Sequence, residues 1–194
     1  MTVGSIGYDC HSGLGHLLRD FYQHGVVQRV LIVPHRRYPR HPEWYPKEVV
    51  YHHGQAHQFL DGLDVLLLFE NAWHWDVVKA AKERGIRVCL CPNYEYTPFP
   101  PNVTPDLFIC ASLLDMDIYE RWPCTFIPIP ARDDIPWRLR ERALEFVHNA
   151  GHGQHDFAKG TPLVIEAMDY VQSPIKLLVR GPPSEPRMRD LFAQ

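Results

Sequence analysis

The chain has 194 residues, 45% hydrophobic and 22% charged, a globular composition with enough apolar material for a sizeable core. A formal net charge of −3 argues against a nucleic-acid partner, which calls for a basic face. No apolar run approaches the ~18 residues of a membrane span, and the opening MTVGSIGYDC lacks the basic and long apolar regions of a secretory signal. Five cysteines are an odd number, none in C-x-x-C spacing, and Cys89, Cys91 and Cys110 fall in strand-like runs. A reduced, cytoplasmic protein is expected, without disulfides.

Residues 2–8 read as a first strand. In the following DCHSGLGHLLRDFYQHG, Leu14, Leu17, Leu18 and Phe21 take helical spacing behind Gly13 and Gly15, and Gly25 closes the helix. Residues 29–34 are the next strand, completing a β-α-β unit. Residues 35–47, HRRYPRHPEWYPK, form a proline-rich loop. Two readings of it stay open: a solvated connector, or a lip for an anionic or sugar ligand, since arginine and aromatic faces suit both. Residues 49–52 are a minor strand. DVLLLF, at 64–69, has the continuous apolar character of a parallel strand buried on both faces. A helix at 76–84, stopped by Gly85, leads to strands at 87–92 and 106–111, a helix at 113–122 and a strand at 125–130. This alternation predicts an open parallel sheet with helices on both faces and excludes an all-β fold.

In such a sheet, residues just past the C-terminal ends of the strands face ligand. Gly13, Glu70, Asn71, Asn93 and Glu95 are therefore expected at one edge. Glu70, His74 and Glu95 are candidates to take a proton from an acceptor hydroxyl; the alternative is that the carboxylates bond helix N-termini or solvent. No Gly-x-Ser-x-Gly, no Walker loop and no complete G-x-G-x-x-G occurs, so hydrolase, P-loop and dehydrogenase readings fall behind.

The charged stretch RDDIPWRLRER, from 132, reads as a break between domains. After it comes FVHNAGHGQHDFAKGTPLVIEAMDYVQSPIKLLVRG: strand, Gly/His-rich loop, helix, strand. Thr161 is the expected N-cap, with Pro162 in the first turn. The last ten residues, EPRMRDLFAQ, are expected to start one more helix. A lysine in a loop ahead of a helix N-terminus is a place for phosphate oxygens. His148, His152 and His155 invite a zinc reading; the alternatives are phosphate contact by the loop histidines and a plain surface loop.

This stretch resembles the start of the C-terminal domain in GT-B fold glycosyltransferases, family 4-like (glycosyltransferase group 1). Lys159-Gly160, Glu166-Ala167 and the run 176–181 carry the resemblance. It implies an α/β protein with a Rossmann-like parallel-sheet N-terminal domain of GT-B type on the acceptor side (1–131), a linker (132–144), and the beginning of a second Rossmann-like, nucleotide-sugar-binding domain (145–194). The donor would lie between the domains. In the family the lysine helps hold the donor diphosphate, and a glycine-rich loop after the first strand faces the cleft. The implied donor-binding residues are thus Gly13, Gly15, His152, Lys159 and Gly160. An arginine that usually shares the task is absent between 146 and 159, where His152 and His155 stand instead. The resemblance implies a UDP- or GDP-sugar as donor substrate, a glycan, lipid or small-molecule acceptor, and neither a metal nor a further cofactor. The family's Glu-x7-Glu pair occurs nowhere in the chain. An incomplete glycosyltransferase chain is therefore expected, inactive by itself; the alternative is a non-catalytic nucleotide- or glycan-binding module derived from the same fold.

Overall fold

The computed structural model describes residues 1–71, 74–93, 96–97, 100–128, 145–149, 160–180 and 189–192. The chain divides into two compact units, Met1–Ala131 and Arg132–Gln194. The expected linker, 132–144, lies outside the described residues.

In the first unit the apolar runs become strands β1 (Val3–Gly7), β2 (Arg29–Ile32), β3 (Val50–His52), β4 (Val65–Glu70), β5 (Arg87–Pro92), β6 (Leu107–Cys110) and β7 (Cys124–Phe126). The helices are α1 (Gly13–Gln23), α2 (Ala56–Leu60), α3 (Trp75–Glu83) and α4 (Leu113–Tyr119). The sheet has seven strands in the order β3-β2-β1-β4-β5-β6-β7, and every pairing is parallel. From β1 the chain steps outward to β2 and β3, then returns to lay β4 against the other side of β1. This is a Rossmann-like α/β topology, and the reversal between β1 and β4 opens a crevice at the C-terminal ends of the strands.

Alternation along each strand sorts the core into two layers. On one face Ile6, Leu31, Leu66, Leu68, Val88, Leu90 and Phe108 pack under Phe59 and Leu60 of α2, Val77, Val78 and Ala81 of α3, and Tyr119 of α4. On the other, Val3, Val30, Ile32, Leu67 and Phe69 meet Leu18 of α1 and Tyr45. Burial on both faces explains why β4 reads as an unbroken apolar run. The helix α2 has no counterpart in the sequence reading. Five residues are too few to display a 3.6-residue period. Among the described residues no helix is long and apolar enough to cross a membrane.

The second unit holds β8 (Glu145–Asn149), α5 (Thr161–Met168), β9 (Lys176–Arg180) and β10 (Arg189–Phe192). β8 and β9 are parallel neighbours, with Phe146 beside Leu177 and His148 beside Val179. Val164, Ile165 and Met168 of α5 pack on Leu177 and Val179. Two expectations are corrected here. The closing stretch does not open a helix at 189–192; it forms a strand antiparallel to β9. The open edge of β9 offers unpaired backbone groups, and pairing with them outweighs a weak local preference. The N-cap of α5 is Gly160, at φ 66, and not Thr161. Thr161 begins the helix, and its hydroxyl bonds His148 Nε2 at 2.9 Å.

Candidate functional site

The residues past β1 build one wall of the crevice. Ser12 caps α1, its hydroxyl accepting the Gly15 N–H at 3.0 Å. Gly15 is buried, and a Cβ there would stand 2.1 Å from the Cys10 carbonyl oxygen. This glycine serves the close approach of α1 to its own loop. At Gly13 a Cβ would meet nothing within 4 Å. The N–H groups of Gly13 and Leu14, in the first helical turn, have no partner within the helix. They lie at the positive end of the helix dipole, where an anion is favoured.

Asp9 follows β1 and is only 2% exposed. Arg40 neutralises it through a two-pronged contact: Nε donates at 3.1 and 2.9 Å, and Nη2 at 2.7 Å. A further bond from the His41 N–H to the Asp9 carbonyl, 2.6 Å, ties the arginine-rich loop to the end of β1. That loop is therefore an anchored structure. Its aromatic content is used locally: His41 stacks on Trp44 at 5.2 Å, and Arg19 of α1 lies over the same indole at 5.0 Å. Tyr8, also past β1, packs edge-on against His35 at 4.7 Å.

The opposite wall begins at Glu70, the last residue of β4. Its φ is 58, the one positive value at a non-glycine position among the described residues. The Asn71 N–H returns to the Phe69 carbonyl at 2.6 Å, closing a three-residue turn around Glu70. Such a backbone persists only where its surroundings hold it, and it is a feature of functional sites. Here the Thr97 hydroxyl donates to the Glu70 carbonyl and accepts the Asn93 N–H at 2.9 Å, so Thr97 latches the ends of β4 and β5 together. The register puts Glu70 beside Pro92, which brings Glu70, Asn71 and Asn93 to one edge. Burial raises the Tyr8 phenol above its ordinary value, and the charges of Cys10 and Glu70 add to the rise.

His74 has a different environment. It precedes α3 and stacks on His53, ring centres 4.3 Å apart. Burial, reinforced by His53, lowers its pKa and favours the neutral imidazole. Of the residues singled out from sequence, Gly13 and Gly15 meet in the α1 turn, and Glu70 lies at the strand edge. Gly160 opens α5 in the second unit. Glu95, His152 and Lys159 lie outside the described residues. Among the described residues no group of three His, Cys, Asp or Glu side chains could hold a metal. Sequence reading missed Asp9, Tyr8 and Thr97. The only signal for Asp9 was its position, one acidic residue between the first strand and the S-G-L-G turn.

No protein-family model, curated protein or solved structure matches the chain. The strand order and the helix packing identify a Rossmann-like α/β fold.

Proposed function

We propose that the chain belongs to a nucleotide-sugar-dependent glycosyltransferase and supplies its diphosphate-binding and acceptor-side residues. The observation that carries this reading is the β8-α5-β9 unit. Its strands are parallel, and α5 opens at Gly160, whose positive φ turns the chain directly after Lys159 in sequence. In this reading the Lys159 ammonium and the first N–H groups of α5 meet the same diphosphate, which departs as the sugar is transferred. The α1 N-terminus at Gly13 is a second phosphate-compatible turn. Glu70, held at the crevice edge, takes the proton of the acceptor hydroxyl, with Glu95 and His74 as the other bases within the proposal.

Calorimetric titration with UDP and GDP tests it. Saturable binding of one nucleotide is expected, and Lys159→Ala should weaken it by about 1.5–3 kcal/mol, the range for a hydrogen bond to a charged group. Lys159→Arg should lose less, because charge is kept while geometry changes. Equal affinities in the parent and Lys159→Ala would remove the diphosphate role. The missing Glu-x7-Glu pair favours a second reading, a nucleotide-binding module without turnover. Binding of UDP- or GDP-sugar without transfer or hydrolysis would select it.

A further inference from the structure

A cavity of about 420 Å³ lies beside the loop that joins β2 to β3, lined by Asp9, Arg40, Tyr45, Lys47, His52 and Gln55 among others. Its volume is that of a small-metabolite site. Its polar groups are lopsided. Arg40 spends Nε and Nη2 on Asp9, which leaves Nη1 as a donor without a described partner. The Lys47 side chain makes no hydrogen bond or ion pair among the described residues. Gln55 Oε1 accepts the His52 N–H at 3.1 Å. The Gln55 amide keeps both of its donors, and the His52 ring lines the same cavity. Tyr45 is 3% exposed, and its hydroxyl is buried with no hydrogen-bond partner among the described residues. Native proteins rarely leave a buried polar group in that state without a reason.

The cavity therefore offers polar groups from four accessible side chains, Arg40, Lys47, His52 and Gln55, and the one carboxylate among its lining residues is already neutralised by Arg40. We propose that it binds the phosphate monoester of a small molecule. An oxyanion answers the excess of donors. Donors arriving from a lysine, an arginine and an amide around one cavity suit three tetrahedral oxygens better than the two coplanar oxygens of a carboxylate. The volume exceeds that of a bare phosphate, and the apolar sides of Pro42 and Val50, which also line the cavity, accept the carbon part of the ester. This site is independent of the nucleotide-sugar reading, because it uses none of the residues assigned there.

The whole chain should be titrated calorimetrically with glycerol 3-phosphate, and separately with glycerol, succinate and UDP. Saturable heat with glycerol 3-phosphate and none with glycerol is expected. Lys47→Ala should weaken the ester by about tenfold or more, as for a charged hydrogen bond. Tyr45→Phe, which removes a hydroxyl closed off from the cavity, should leave the affinity for the ester unchanged and the thermal midpoint of the unliganded protein unchanged or higher. Should Tyr45→Phe fail to fold, the exposed Lys47 decides alone. Absence of heat at millimolar ester, equal affinity in Lys47→Ala, or succinate binding as tightly as the ester would each overturn the assignment. Binding of UDP without the ester would overturn it and leave the diphosphate reading standing; binding of the ester with neither UDP nor GDP would support it and overturn the diphosphate reading.

Discussion

Glu70 offers a direct measure of strain at the crevice edge. Its backbone, at φ 58, occupies a conformation that L-residues adopt at a cost of about 1–2 kcal/mol. Glu70→Ala and Glu70→Gly both delete the carboxylate, and only the second relieves the backbone. At an ordinary position glycine is the less stable of the two by about 0.5–1 kcal/mol, through the entropy of the unfolded chain. Here relief exceeds that loss, so the glycine variant should be the more stable by up to about 1 kcal/mol. The Thr97 bond goes to the Glu70 carbonyl and survives both changes. For a chain of this size the difference is about 2–4 °C in the thermal midpoint per kcal/mol, within reach of scanning calorimetry on the Met1–Ala131 transition. An alanine variant as stable as glycine, or more so, would refute the argument and place the origin of the turn in the side chain.

Gly15→Ala should lose about 2–3 kcal/mol in a urea titration, because the new Cβ meets the Cys10 carbonyl oxygen at 2.1 Å. Gly13→Ala, in open space, should change stability by less than about 0.5 kcal/mol; similar losses at both positions would contradict the packing role of Gly15. At Asp106 burial pushes the carboxyl up, but the Val88 N–H and the Lys82 ammonium at 2.9 Å outweigh it and hold the pKa below the ordinary value of 3.8. A lowered folded-state pKa means that the contribution is present above the unfolded value and disappears as pH falls through the folded one. Asp106→Asn should therefore cost stability at pH 7 and flatten the decline below about pH 4; an unchanged acid limb in a pH series of urea midpoints would count against it.

Local chemistry alone determined a large part of this protein. The continuous apolar run at 64–69 marked a strand buried on both faces, and Leu14, Leu17, Leu18 and Phe21 marked α1. The alternation of the two element types already required a parallel sheet. The polar residues after β4 and β5 were legible as an edge, because parallel strands bring all their C-terminal ends to the same side. Strand order was beyond that reach, since the placement of β3 outside β2 depends on which apolar faces meet. The Asp9–Arg40 pair joins residues 31 apart, and nothing in either local pattern announces it. The orphan hydroxyl of Tyr45 is visible only once the surrounding chain has excluded water from it. The need for a glycine at 15 is likewise set by a contact, the Cys10 carbonyl oxygen 2.1 Å from where a Cβ would stand. β10 was decided in the same way, by the free edge of β9 and against the local helical reading. Periodicity records how one segment partitions between water and a core. Pairing, strain and cavities arise from distant segments brought into contact, and they exist only in the tertiary structure.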